Sequence, residues 1–255
     1  MNVRLISHTN VPENLVSIAA RLCYSADSIE NVSKKITDEN AGKFVENLLE
    51  FGHESPIEHV TFTFAIEGVS RALLAQITRH RIASFSVRSQ RYVTEENFNF
   101  VIPPEIEKNE KARDIFLNFI NESKNCYSKL LEILVEDKKK TLLDDGVEEK
   151  VAEKRAIKKS AEDARFVLPN ACSTQFIVTM NARSLLNFFR LRCCNRAQWE
   201  INELACSMLK LVYKVAPAIF KNAGPSCLNE GCREGKMSCK QMERVREKFK
   251  KIKEI

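Results

Sequence analysis

The sequence predicts an α+β fold: a mainly antiparallel sheet flanked by several long helices, gathered in a single domain. Three observations carry this expectation. Apolar residues recur at helical spacing over several long segments, strict alternation is confined to a few short ones, and no repeated strand-helix-strand unit is evident. At 255 residues and 44% hydrophobic, the chain can bury one sizeable core.

The first helix is expected over residues 37–51, where Ala41, Phe44, Val45, Leu48 and Leu49 form one apolar stripe. Thr37 is its N-cap, Asp38 and Glu39 sit at the positive end of the helix dipole, and Gly52 follows its end. After the polar turn HESPIEH, Val60, Phe62, Phe64 and Ile66 alternate with Thr61, Thr63, Ala65 and Glu67, which is the period of a half-buried strand. Ser70 caps a short helix ending near Thr78. Residues 85–93 partly alternate and read as a loop passing into a strand, which Pro103 and Pro104 stop.

Helices are expected over 105–135 and 147–165, separated by the turn signal Asp144-Asp145-Gly146, with Arg165 where the second runs out. Residues 173–180 are β-prone, and Asn181 then caps a helix whose apolar face is Leu185, Leu186, Phe188 and Phe189. A further amphipathic helix spans 197–215. The one boundary falls near Gly224-Pro225 and leaves a tail over 226–255.

Charge and cysteine content narrow the function classes. The net charge of +6 resides mostly in residues 233–255, which carry nine Lys or Arg against four Glu, so the rest of the chain is nearly neutral. A basic tail is not a basic groove, and it reads as a solvated helix rather than a nucleic-acid arm. The chain shows no long apolar run and no signal-peptide pattern, so a cytoplasmic protein with no membrane partner is expected. In that reducing setting the nine cysteines are expected to be free thiols.

Residues 69–94 differ from the rest. They hold Arg71, Arg79, Arg81, Arg88 and Arg91 with His80, and no Lys, Asp or Glu. Guanidinium groups without a counter-charge suit an anion, through bidentate charge-assisted hydrogen bonds to phosphate oxygens or a pyrimidine edge.

Within this stretch, Arg79-His80-Arg81 is followed after seven residues by Ser89. This pattern resembles the signature of the flavin-dependent thymidylate synthases. The resemblance extends in order through GHESPIEH at 52–59, ARFVLP at 164–169, NARSLLNF at 181–188 and AQWEI at 197–201. It implies reductive methylation of dUMP to dTMP, with carbon from methylene-tetrahydrofolate and electrons from NADPH through FAD. It also implies a homotetramer with shared active sites; with the boundary near Gly224-Pro225, the catalytic domain is expected over 1–225 and a basic cysteine-containing tail over 226–255.

Carried over by the same resemblance, Gln76, Arg79, Ser89, Gln90 and Arg91 contact dUMP, with Arg88 beside them and Arg165 joining from its helix end. Arg192 matches the arginine that polarises the uracil ring, and a fixed cation beside N3 would make C5 more nucleophilic. FAD is expected to meet His53, Ser55, Arg79, His80, Arg81, Asn181, Arg183 and Asn187. Arg183 and Asn187 are four apart and so share a helix face. Ser89 is read as a binding residue rather than a nucleophile, and flavin chemistry needs no cysteine nucleophile.

Two departures bear on these contacts. Ser86 and Val87 stand where many members have Asn-Glu, and Arg196 stands where histidine is frequent. Cys227, Cys232 and Cys239, with a fourth thiol from Cys193 or Cys194, have the composition of a four-thiolate metal site, but no tight CxxC pair is present. No metal is therefore expected. The rival reading is an arginine-rich nucleotide- or RNA-binding protein without catalysis, which calls for aromatic residues interleaved with the basic ones. Within the arginine segment only Phe85 and Tyr92 qualify.

Overall fold

The alternating segments form a four-stranded sheet in a computed structural model that describes residues 1–254. Strands β1 (Asn2–His8), β2 (Thr61–Ser70), β3 (Ser84–Val87) and β4 (Ser173–Asn181) are ordered β1-β2-β4-β3. The sheet is antiparallel. Its register is set by backbone bonds from Thr9 N–H to Thr61 O at 3.0 Å, Ala182 N–H to Val60 O at 2.8 Å and Arg88 N–H to Gln175 O at 3.0 Å. Along β2, Phe62, Phe64 and Ile66 turn inward as their alternation requires, while the hydroxyls of Thr63 and Thr179 meet across the other face at 2.9 Å.

The helices are α1 (Pro12–Leu22), α2 (Ile29–Lys34), α3 (Asp38–Glu50), α4 (Arg71–Ile77), α5 (Pro104–Glu107) and α6 (Glu110–Asp144). They continue as α7 (Glu149–Ala164), α8 (Ala182–Arg192), α9 (Trp199–Val215), α10 (Pro217–Phe220) and α11 (Met242–Lys253). Several carry the caps that the sequence predicts. Asn40 Oδ1 accepts the Thr37 N–H at 3.2 Å before α3, and Ser70 Oγ accepts the Leu73 N–H at 3.0 Å in α4.

Three boundaries differ from expectation. The strand expected to reach residue 93 ends at Val87, because Ser89 Oγ accepts the Arg91 N–H at 3.2 Å and draws the chain into a turn. The helix expected from 105 to 135 is instead a single turn, α5, followed by a 35-residue α6 that starts where Asn109 Oδ1 accepts the Ala112 N–H at 3.1 Å. Helix α9 starts at Trp199, since Gln198 Oε1 accepts both the Glu200 and Ile201 N–H groups at 3.1 Å. Strand β1 gave no sequence signal because its side chains are mostly exposed and carry little alternation.

The chain divides into two units, and the division falls within β2, β3 and β4. The first comprises Met1–Ile66, Ala75–Ser86 and the chain from Phe176 onward. Here α9 packs on β1, α8 and α11 pack on α9, and α10 packs on α3. Phe220 joins the layers, with its ring 5.4 Å from Phe62 and 5.9 Å from Phe189. Each such buried side chain contributes about 1.5–3 kcal/mol of transfer free energy.

The second unit comprises Glu67–Leu74 and Val87–Gln175. Its helical hairpin, α6 with α7, closes over Tyr127, Leu131, Ala161 and Ala164. Among the described residues no helix is long and apolar enough to cross a membrane.

Asn109 supplies a side-chain acceptor to the first turn of α6, so Asn109→Ala should lower unfolding free energy by about 1 kcal/mol. Denaturant titration checks this: the midpoint falls while the slope stays unchanged, and an unshifted midpoint would mean that the cap contributes nothing.

Candidate active site

Helix α8 forms one wall of the site, and its placement follows from its two faces. Leu185, Phe188 and Phe189 are buried against the core. At its start, Asn181 Oδ1 accepts the Ser184 N–H at 2.8 Å, and Ala182 N–H is tied to the Val60 carbonyl just ahead of β2. The opposite face therefore presents Arg183, Asn187 and Arg190 to a cavity, with Arg192 at the C-terminal end. The turn after α4 brings Arg79, His80 and Arg81 to the same cavity, whose volume is about 1130 Å³. That exceeds the ~300–1,000 Å³ usual for drug-sized ligands and suits something as long as a dinucleotide.

The charges around this space are of two kinds. Arg183 bonds Glu54 at 3.2 Å and also Glu58, while Lys221 bonds Glu46 at 2.6 Å and Arg233 bonds Glu230 at 2.7 Å. Exposed pairs of this sort are weak and readily exchanged. Arg79, Arg81, Arg190 and Arg192, by contrast, form no ion pair among the described residues. Their guanidinium charge remains available to an anion.

His80 sits among these cations and is nevertheless apolar in its packing. Its ring meets Phe188 edge to face at 5.0 Å, and its Nε2 accepts the Arg192 Nε–H at 3.2 Å. Nε2 is therefore the unprotonated nitrogen, and the neutral ring carries its proton on Nδ1. Burial first, and the Arg192 charge second, hold its pKa below the usual 6.5.

Of the residues expected to meet flavin, Arg79, His80, Arg81, Asn181, Arg183 and Asn187 all line this cavity. His53 and Ser55 lie exposed on the loop between α3 and β2 and do not line it, although Glu54 and Glu58 of that loop do. Of those expected to meet dUMP, Arg79 and Arg192 line it, while Gln76 is half-buried on α4.

The remaining expected dUMP residues, Arg88, Ser89, Gln90, Arg91 and Arg165, belong to the second unit. There Arg91 bonds Glu162 at 3.1 Å, and Arg165 Nε donates to the Glu162 carbonyl, also at 3.1 Å. Arg88 lies 4.0 Å from the carboxylate of Glu95, whose pKa burial raises against the pull of Arg88 and Arg71. Gln90 is buried, and its Nε2 donates to Cys172 Sγ at 3.5 Å; burial pushes that thiol up to about 11.

These contacts correct the sequence reading on one point. The arginine segment is not without counter-charge, because Glu95 and Glu162 reach Arg88 and Arg91 from later in the chain. Sequence reasoning also passed over Glu54, Glu58, Arg190 and Arg233. Glu54 and Glu58 were visible as an i, i+4 pair inside GHESPIEH, whereas Arg233 had no signal beyond the tail's general basicity.

The cysteines separate into two groups. Cys194, with Cys227, Cys232 and Cys239, lines a second cavity of about 270 Å³ beside Arg192. Cys193 is turned into the core, where Cys206 is its hydrogen-bonding neighbour. All nine thiols are free, and among the described residues no group of three or more His, Cys, Asp or Glu is arranged to hold a metal ion.

Because the folded chain holds the His80 proton less tightly than the unfolded chain, stability should rise with pH through the interval below 6.5 and fall on acidification. NMR of the four histidines should find His80 titrating below 6.5, and Arg192→Ala should raise that midpoint. A midpoint at or above 6.5 in the parent protein would contradict the buried, cation-facing imidazole.

Comparison with known proteins accords with this geometry. The family model for thymidylate synthase complementing protein matches residues 4–218. A flavin-dependent thymidylate synthase of Clostridium tetani is 52% identical over 94% of this chain and 93% of its own. That of Geobacter sulfurreducens is 44% identical over 99% of both chains, and that of Pyrococcus furiosus is 36% identical over 100% of this chain and 98% of its own. With the arginine-lined cavity, the neutral His80 and these near full-length matches in hand, the chain belongs to the flavin-dependent thymidylate synthase family.

Proposed function

We propose that this chain makes dTMP from dUMP, taking carbon from methylene-tetrahydrofolate and electrons from NADPH through FAD. The observation that carries the reading is the large cavity edged by Arg79, Arg81, Arg190 and Arg192 with a neutral histidine between them. The residues present fit FAD. The guanidinium groups would hold the pyrophosphate, the amides of Asn181 and Asn187 would serve as polar partners for the ring system, and Ile82, Leu186 and Leu191 would offer it apolar surface. When bound, FAD supplies the hydride-transfer chemistry that amino-acid side chains lack.

The protein's own contribution is binding and polarisation. Arg79 and Arg81 neutralise phosphate charge, and Arg183 and Asn187 grip one ligand from a single face of α8. Asn181 uses its Oδ1 in the cap and so keeps its NH2 group for a ligand. His80 completes the flavin contacts within the cavity, and His53 and Ser55, on the adjoining loop outside its lining, are assigned to flavin by resemblance. Gln76, Arg79, Arg88, Ser89, Gln90, Arg91 and Arg165 bind dUMP through its phosphate and pyrimidine edge.

Arg192 is the catalytic residue in this reading. Its Nε–H is engaged by His80, which leaves the terminal Nη groups to face the uracil ring. A fixed cation there favours negative charge at N3 and raises electron density at C5, the carbon that accepts the new bond. A neutral His80 suits this role, since an imidazolium would repel Arg192 and could not accept its hydrogen bond. The chemistry requires no cysteine nucleophile.

Residues 1–225 carry this catalysis, and 226–255 form a basic cysteine-containing tail. The enzyme works in the cytoplasm as a homotetramer with shared active sites, without nucleic acid, membrane or metal partners.

The test is dTMP formation from dUMP with NADPH and methylene-tetrahydrofolate. Arg192→Ala should keep the visible flavin spectrum yet lose turnover by about 100-fold or more, the scale of removing one transition-state charge contact. Equal rates in the two proteins would sink the role given to Arg192. Light scattering that finds an active monomer would sink the tetramer.

A further inference from the structure

The last carbonyl groups of a helix have no partner inside it, and a left-handed glycine cap is a common way of satisfying them. Helix α8 ends differently. Its C-cap is Cys193 in a right-handed conformation, with φ −76° and ψ −7°, so no glycine motif closes the end. Instead Asn202, half-buried on α9, donates from Nδ2 to the carbonyl of Arg192 at 2.9 Å and to that of Cys194 at 3.0 Å. One side chain thereby clamps the backbone on both sides of Cys193 and fixes the Cα from which the Arg192 guanidinium departs.

Asn202 is itself held by the C-terminal tail. Its Oδ1 accepts from Lys248 Nζ at 3.4 Å, and Cys206 Sγ lies 3.9 Å from the same oxygen. Lys248 is on α11, which docks through buried Val245 and Phe249 and packs on α9. The amide cannot rotate without losing either the two carbonyls or the lysine, because its donor and acceptor ends are both in use. The unbroken sequence of contacts is Lys248 to Asn202, Asn202 to the Arg192 backbone, and Arg192 Nε to His80 Nε2 at 3.2 Å.

We propose that Asn202 is the positioning residue for Arg192, and that the C-terminal helix α11 acts on the active site by fixing Asn202 through Lys248. The proposal rests on the role given to Arg192 above. The basic tail is then a brace behind the guanidinium rather than a solvated appendage.

The experiment uses the full-length holoenzyme and the variants Asn202→Leu, Lys248→Ala and Lys248→Gln. Leucine approximates the branched shape of asparagine and adds no charge, while glutamine keeps a donor at position 248. Two readouts are taken: kcat with KM for dUMP, and the NMR titration of His80 with Arg192→Ala as reference. Asn202→Leu should lower kcat by about tenfold to a hundredfold, the scale of a misplacement near 1 Å. It should also move the His80 midpoint toward that of Arg192→Ala, because a displaced guanidinium no longer depresses it. Lys248→Ala should move both readouts the same way by less, and Lys248→Gln should restore them.

A wild-type kcat with an unmoved His80 midpoint in Asn202→Leu would overturn the proposal. Lys248→Ala matching wild type in both readouts would overturn the part assigned to the tail. Should Arg192→Ala retain turnover, the catalytic reading of Arg192 fails, yet the His80 titration still decides whether Asn202 positions it. Lys248→Ala lies on an exposed surface, so its result stands even if Asn202→Leu fails to fold.

Discussion

The position of α8 is the constraint on which the site depends, and it is set by hydrogen bonds at its two ends. At the N-terminal end, Asn181 caps the helix and Ala182 N–H reaches the Val60 carbonyl, so the helix cannot slide relative to β2. At the C-terminal end, Asn202 takes the Arg192 carbonyl, one of those a helix leaves open, together with that of Cys194 just beyond the helix. Between them, Phe189 packs against Phe220 and Phe188 against Phe189, which fixes the rotation of the helix. With translation and rotation both fixed, Arg183, Asn187, Arg190 and Arg192 must face the cavity. Preorganisation of this kind lets a cation stabilise developing charge without first being moved into place.

Concentrating guanidinium groups is costly unless each has a defined partner or open access to water. The protein deals with its arginines in both ways. Arg183 is held by exposed glutamates that an incoming anion can replace, and Arg91 is similarly occupied by Glu162. Arg192 has no carboxylate partner among the described residues, and it bonds instead to the neutral nitrogen of His80. That choice orients the cation without neutralising it. A carboxylate in the place of His80 would hold Arg192 more tightly but would neutralise the charge that it now presents to the cavity.

Much of this arrangement could be read from the sequence because local rules govern it. The alternation of Phe62, Phe64 and Ile66, the caps at Thr37, Ser70 and Asn181, and the turn at Gly146 each depend on neighbours only a few residues away. The cavity-lining residues of α8 and of the Arg79-His80-Arg81 segment stood out in the sequence for the same reason, since their pattern is short and ordered. What escaped is non-local. Ser89 turning the chain at Arg91 overrode a partial alternation, and the pairing of Arg91 with Glu162 joins residues 71 apart in sequence. The link from Asn202 to Arg192 spans only ten residues but crosses from one helix to the next. No periodicity can reveal it.

Gly224 shows how the tail becomes part of the body. As sequence it is punctuation before Pro225. In the fold its φ is +138°, and a Cβ placed there would collide with Leu228 and come within 3.1 Å of Phe249. Glycine is therefore needed for close approach as much as for the turn, because Phe249 of α11 packs against the backbone at that point. Lys253, farther along the same helix, donates to the Lys221 carbonyl, and Lys221 in turn holds Glu46 on the cavity wall. Burial lowers the pKa of Lys253 to about 8, the cost of seating a cation against the core. A helix that surrenders lysine hydration and requires a glycine for its docking is not shaped chiefly by solubility. Its contacts run to Asn202 at one point and to the cavity wall at another, so the positive charge of the tail is arranged around the site that its helix braces.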